Sequence, residues 1–171
     1  MPKKVYNNVE DHRLIDNGRA VEDITSVAIP TIEHPTTDID AAGMAGVVSM
    51  PNSVKVNSME FAVNHNNGVN CERLADSGKH TMEFRLVRQR YNVARGEIEH
   101  ESVKYRIIGV HKSTEDGTIE AGNPMGSSDK YSVLRFEKII NGVTTTLVDV
   151  MTGTININGN DITNVVQSML N

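Results

Sequence analysis

Residues able to do chemistry occur throughout this chain, but their spacing never completes a site. His100-Glu101 opens like the His-Glu-x-x-His helix of zinc peptidases, where two imidazoles one turn apart hold the metal. Lys104 stands where the second imidazole belongs, and the segment alternates like a strand. Gly117 to Gly122 has the glycine spacing of a phosphate loop, yet Asn123-Pro124 replaces the Lys and hydroxyl that would grip phosphate and metal. Ser127 to Lys130 matches a Ser-x-x-Lys nucleophile pattern without its companion motifs. Asn156, Asn158, Asn160 and Asp161 suggest oxygen ligands for calcium, but the closing Glu of such a loop is replaced by Gln167. That segment reads instead as a turn around Gly159.

Cys71 is the sole cysteine, so no intrachain disulfide forms and a reducing compartment is the expected assembly site. As a nucleophile it would need a His and an orienting partner. As a small core residue on a short helix it needs neither, and that reading is adopted. The six histidines (His12, His34, His65, His80, His100, His111) lack the i, i+4 spacing of metal ligands, and the carboxylates are scattered. No catalytic, metal or cofactor-binding residue is assigned, and a protein that is not an enzyme is expected.

The positioning elements carry more information than the reactive residues. His80, Met82, Phe84 and Leu86 share one strand face, with Thr81, Glu83, Arg85, Val87 and Gln89 on the other. From Glu97 to Lys112, Val103, Tyr105 and Ile107 oppose His100, Ser102, Lys104 and Arg106. Lys130 to Asn141 and Thr144 to Asn158 are further alternating runs, joined by the hairpin pair Asn141-Gly142. Strands usually run about five or six residues. Runs this long on a short chain suit a sheet that continues into a neighbouring subunit.

The rest of the chain reads as follows. Residues 1–23 form an arm with a short strand or loop. Ile24 to Ile29 is a strand stopped by Pro30, and Thr31 to Asp40 a strand near a sheet edge, notched by Pro35. Segment 41–51 is small, apolar and uncharged. Ser53 to His65 is a strand whose apolar face shifts halfway, implying a bulge or cover on both sides. Val69 to Asp76 is the helix candidate, capped by Asn70 and stopped by Ser77-Gly78. Segment 113–129 is a long, acidic loop. The result is a mainly β, β-rich α+β single domain over 1–171.

Composition narrows the function. Seven aromatics (three Phe, four Tyr, no Trp) are few for a sugar groove or base-stacking platform. A net charge of −5 argues against an electrostatic grip on nucleic acid, though it would let DNA pass. No stretch approaches a membrane span, and Met1-Pro2-Lys3-Lys4 lacks a signal-peptide core, so a soluble product without stable membrane association is expected.

The chain resembles the major tail tube proteins of contractile-tailed bacteriophages and related phage-tail-like bacteriocins. The resemblance rests on Val27-Ala28-Ile29-Pro30, on Ala42-Gly43-Met44-Ala45-Gly46, similar to that family's Gly-Met-x-Gly turn, and on Ser58-Met59-Glu60-Phe61. It also rests on Tyr131 to Leu147, Asp149 and Ile157-Asn158-Gly159-Asn160-Asp161, followed by a short amphipathic stretch. The first twenty residues, Arg88 to Glu101 and the 113–129 loop depart from the family pattern.

The resemblance implies an antiparallel β-sandwich or barrel subunit with one short flanking helix. Strands of six such subunits join into a ring-wide barrel, and rings stack into a conduit for DNA ejection or membrane puncture. Gly43, Met44, Ala45, Gly46, Val47, Val48 and Met50, with the 113–129 loop, are expected at subunit or ring contacts. Glu60, Glu83, Glu99, Glu101 and Glu137 are candidates to face the lumen. Implied partners are further copies of the chain and the sheath, tape-measure, baseplate and tail-terminator proteins, with DNA passing through unbound. The setting is the virion or a tail-like particle, assembled in the bacterial cytoplasm. A tube from a related secretion or injection machine, a small β-sandwich binding module and an unrecognised hydrolase are the alternatives.

Overall fold

The computed structural model describes residues 3–170. Strands β1 (Lys4–Asp16), β2 (Arg19–Val21), β3 (Ile24–Ala28), β6 (Glu60–His65), β7 (Lys79–Asn92), β8 (Glu97–Glu115), β9 (Ser127–Ile140), β10 (Val143–Asp149), β11 (Thr154–Ile157) and β12 (Asn160–Asp161) form a ten-stranded sheet. Its main path runs β12-β11-β10-β9-β8-β7-β1-β2, and β6 leaves β9 to pair with β3. A separate ribbon joins β4 (Thr36–Ile39) to β5 (Val48–Pro51). A 3-10 helix (Cys71–Ala75) and a C-terminal helix α1 (Ile162–Leu170) complete the described chain. The mainly β, antiparallel expectation holds.

The predicted alternation sets the faces. On β7, His80, Met82 and Phe84 are buried while Thr81 and Arg85 are exposed; on β8, Val103 and Ile107 are buried while Ser102 and Arg106 are exposed. On β9 the rule is reset. Tyr131 and Val133 point inward, Leu134 is skipped in the register with β8, and Phe136 then takes the inward side. The second layer is β6, with Phe61 and Val63, and the 3-10 helix, with Cys71 and Leu74. Asn141-Gly142 makes the expected tight turn, with φ of 48° and 82°, which a primed turn demands.

Buried polar groups stitch the core rim. Tyr131 Oη donates to the Leu74 carbonyl at 2.6 Å. His65 Nε2 donates to Asp129 at 2.8 Å, while the Asn67 amide donates to His65 Nδ1 at 3.2 Å, which fixes the tautomer. Both nitrogens of His80 face acceptors, the Asp16 carboxylate at 3.1 Å and the Asp76 carbonyl at 2.8 Å.

Several expectations need correction. The segment read as an N-terminal arm is the 13-residue strand β1, paired with β7 along its length. Its alternation is masked because Asn7 and Glu10 are bulged out of register. The Thr31–Asp40 strand is only β4, and segment 41–51 is half turn and half β5. Ser53–His65 is strand only from Glu60, so the shift of apolar face marks where β6 begins rather than a bulge. The helix at Val69–Asp76 is a 3-10 turn, and Asn70 precedes it in left-handed conformation, with φ of 70° and no side-chain cap. The regular helix is α1. The run from Thr144 to Asn158 is two strands, β10 and β11. The 113–129 loop shrinks to 116–126 and is pinched at its neck, where Thr118 N–H donates to Met125 O at 2.9 Å. At Gly117 an added Cβ would lie 2.0 Å from that same carbonyl, so only glycine fits.

Unfolding in denaturant should rank two substitutions. Phe136→Ala removes a fully packed ring and should cost about 3–5 kcal/mol. Tyr131→Phe removes one buried hydrogen bond at nearly constant shape and should cost about 1–2 kcal/mol.

Candidate subunit interface

The β4–β5 ribbon projects as a hairpin, and every residue from 36 to 53 is exposed. Its register pairs Ile39 with Val48 and Thr37 with Met50, placing Ile39, Val48 and Met50 on one side; Asp38, Ser49, Thr36 and Pro51 take the other. Met44 and Val47 lie in the connecting turn, 41% and 63% exposed. Gly43 and Gly46 have no neighbour within 4 Å of an added Cβ, so any close backbone approach there must come from outside the chain. Below the strands, Asn52 N–H to Pro35 O at 2.8 Å and Asn57 N–H to Glu33 O at 2.7 Å continue the pairing of the ribbon's two legs. A lone two-stranded hairpin is marginal in water. This one carries an uncovered apolar side, which makes it a candidate contact surface.

The five glutamates expected to share a wall lie on different faces. Glu83 and Glu137 are on the outer side of the main sheet, opposite the core residues Met82 and Phe136. Glu83 pairs with Arg85 and with Lys104 at 3.6 Å, and Glu137 with Arg106 at 3.2 Å. Desolvation works against ionisation of Glu83, but Arg85, Lys104 and Arg106 outweigh it and hold the carboxyl below the usual range. Glu60, opposite Phe61 on β6, pairs with Lys112. Glu99 and Glu101 lie on the other face, in line with the core.

There the sheet runs past its second layer. Residues 4–11 of β1, 86–92 of β7 and 97–102 of β8 form a three-stranded extension beyond the core. The face that holds Met82, Phe84 and Val103 nearer the core holds a charge network here. Glu101, almost fully buried, meets Arg88 at 2.6 Å and Arg90 at 3.0 Å. Arg88 also stacks over Tyr6, 4.4 Å from the ring centre. The Asn92 amide, then Lys4 and Arg90, draw the Glu99 carboxyl down to about 2 against the opposing effect of desolvation. Sequence reasoning missed this network because it named Glu99 and Glu101 without their cross-strand partners; Arg88 and Arg90 at alternate positions were the available signal.

The remaining reactive residues are engaged structurally. A recess of about 370 Å³ is lined by His65, Cys71, Glu72, Thr114 and Asp129, among others. Cys71 Sγ donates to the Glu22 carbonyl at 3.2 Å, and burial pushes the thiol up from its ordinary pKa. His65 is held at both nitrogens, so thiol and imidazole each serve other partners. Asp129 also takes bonds from Thr114 and from His111, the latter at 3.4 Å, and joins three strands. Among the described residues, no cluster of three or more His, Cys, Asp or Glu could hold a metal, and no helix is long and apolar enough to cross a membrane.

A strand-dominated chain whose reactive groups are locked into its own framework, and which leaves an apolar hairpin and sheet edges uncovered, belongs to the class of structural assembly proteins. The family comparison gives that class a name. The model of the phage tail tube protein FII family matches residues 9–170, and the chain belongs to this family. It is a structural, non-enzymatic family of the virion, and this chain is a tail tube protein. No curated protein matches it.

The Glu99 network predicts an acid response. A carboxyl whose folded pKa is depressed stabilises the fold above its unfolded pKa, near 4.5, and that contribution is lost as pH falls toward about 2. Denaturant midpoints measured from pH 6 to pH 2 should therefore fall more steeply for the unmodified protein than for Glu99→Gln, the two curves converging at the acid end.

Proposed function

We propose that this chain is the subunit of the inner tube of a contractile phage tail or tail-like particle. It self-assembles into six-membered rings that stack into a hollow conduit for DNA ejection or membrane puncture. The observation that carries this reading is a tail tube family chain whose long sheet leaves edges unpaired and whose apolar hairpin is uncovered. A lone molecule would be liable to edge-to-edge aggregation, and closure into a ring removes that liability. Gly43, Met44, Ala45, Gly46, Val47, Val48 and Met50 make the contact between subunits or rings, and the loop after β8 makes a second.

The bore is lined by one face of the sheet, so the lumen candidates divide. Glu60, Glu83 and Glu137 belong to one wall and Glu99 and Glu101 to the opposite side. Because each is paired with Lys or Arg, the lining presents balanced charge to passing DNA and has neither a continuous basic track to hold it nor a bare acidic wall. Sheath, tape-measure, baseplate and terminator proteins are the expected partners, with assembly in the host cytoplasm and residence in the virion.

Electron microscopy of the purified protein at rising concentration should show rings with an open pore, then stacks. A particle mass that stays at that of one chain would overturn the reading. Met44→Asp should leave soluble, unstacked protein, since an uncompensated buried charge costs about 3–5 kcal/mol. Tubes of ordinary length from that variant would remove the hairpin from the contact.

A further inference from the structure

The chain holds four Asn-Gly steps, at Asn17-Gly18, Asn67-Gly68, Asn141-Gly142 and Asn158-Gly159. We propose that Asn158 is the site at which the folded chain deamidates spontaneously, and that the isoaspartate formed there loosens α1. The proposal stands independently of how copies assemble.

Glycine after asparagine offers this reaction the least steric resistance, because no Cβ shields the amide that attacks. Once hydroxide has removed its proton, the Gly159 amide nitrogen attacks Asn158 Cγ. A C–N bond forms, ammonia leaves with a proton taken from water, and a succinimide ring closes. Water then opens the ring. Opening at the Cγ carbonyl gives aspartate; opening at the main-chain carbonyl gives isoaspartate, whose backbone runs through Cβ and Cγ. The net change exchanges one water for one ammonia and needs no oxidant.

Backbone conformation does not separate the four steps. Each asparagine is left-handed, with φ of 47°, 60°, 48° and 53° in chain order. The side chains do separate them, since attack requires Cγ to swing onto the next amide nitrogen. Asn17 Oδ1 accepts from Thr81 N–H at 3.0 Å, and Asn17 N–H donates to Thr81 O at 2.9 Å. Asn141 and Ser102 make the same two-way clasp, at 3.2 Å and 3.0 Å. Asn67 Nδ2 donates to Met125 Sδ at 3.5 Å, and its N–H donates to His65 Nδ1 at 3.2 Å. The following Gly68 is packed so closely that an added Cβ would lie 2.4 Å from Asp23 Cβ. Asn158 differs. Its N–H donates to Thr145 O at 2.7 Å, but its side-chain amide has no partner among the described residues. Asn158 and Gly159 are both exposed, and nothing lies within 4 Å of a Cβ placed on Gly159. The attacking amide is open to hydroxide.

The place of this turn gives the reaction a structural consequence. Asn158 and Gly159 connect β11 to β12, with Ile157 paired to Asn160 and Asn156 to Asp161. Asp161 caps α1, its Oδ1 accepting from Asn164 N–H at 3.0 Å, and Thr163 Oγ1 accepts from Ile155 N–H at 3.1 Å. Val165, Met169 and Leu170 are exposed, so α1 leans on these polar ties. A tight two-residue turn has no slack for an inserted methylene. Isoaspartate at this position therefore pulls Asn160 and Asp161 out of register and weakens the hold on α1.

Ageing the full-length chain tests both statements. Dilute protein is held at mildly alkaline pH and digested, and its peptides are analysed by mass, with isoaspartate labelled by a protein carboxyl methyltransferase. Modification at Asn158 should exceed that at each of Asn17, Asn67 and Asn141 by at least about fivefold, the factor one withheld hydrogen bond supplies. In denaturant that lead should vanish, because all four steps then share the same Asn-Gly chemistry. Another site leading in the folded chain, or an equal lead for Asn158 in denaturant, overturns the assignment. Hydrogen exchange then reads α1. Amides of 162–170 should exchange faster in isoaspartate-containing chains than in unaged ones, and aged Asn158→Gln should show no such change. Unchanged exchange in the first, or an equal change in the second, overturns the link to α1.

Discussion

Backbone pairing is the constraint on which the rest of this structure depends. A chain made mostly of strands must give each amide and carbonyl a partner, and this one does so around most of its perimeter. On one side the branch β10–β11–β12 ends under α1, where Ile155 N–H donates to Thr163 Oγ1 at 3.1 Å. On the other, β2 covers the inner end of β1, and β3 curls over the core so that His12 Nε2 meets the Ile24 carbonyl at 3.3 Å. Along the main path of the sheet, the extension leaves an edge of β1 and an edge of β8 open, and the β4–β5 ribbon stands apart with open edges of its own.

The same strands change character where the second layer stops. Even positions on β7 are Met82 and Phe84 under β6 and the 3-10 helix, then Arg88 and Arg90 beyond them. Odd positions on β8 mirror this, with Ile107 and Val103 giving way to Glu101 and Glu99. An apolar face without a covering layer would be exposed to water, while an unpaired charge so close to the core would be costly. The network resolves the conflict, because Glu101 is nearly buried yet fully engaged by two guanidinium groups. Satisfied polar networks rigidify what they join, so the extension is a stiff plate rather than a floppy hairpin.

Legibility in the sequence followed the regularity of side-chain alternation. The faces of β7, β8 and β9 and the Asn141-Gly142 turn were readable because burial on one side imposes a period of two and a primed turn demands positive φ. β1 was not readable, because bulges at Asn7 and Glu10 break that period twice in one strand. The 3-10 helix was misjudged in type because Asn70 has the identity of a cap but adopts a left-handed backbone without capping. Residues 43–50 were singled out through composition and family resemblance, and the structure places them in an exposed hairpin. Which face each glutamate occupies was invisible, since it depends on register across strands and on the extra residue in β9.

Charge distribution adds a final consequence. The sheet faces are balanced by ion pairs, so the excess of −5 must reside elsewhere. Between Thr31 and Val54, the ribbon region contains Glu33, Asp38 and Asp40 and no Lys or Arg; the loop after β8 contains Asp116 and Glu120, again without a cation. The two segments proposed as contacts between copies are thus the acidic ones, and each is uniformly signed. At a distance they repel, within a Debye length of about 10 Å at 0.1 M salt. At contact, the apolar side of the ribbon can outweigh that repulsion, because burial acts only at short range and scales with area. In the proposed assembly, like-signed contact segments therefore oppose random association at a distance and leave the apolar side of the ribbon to decide at contact.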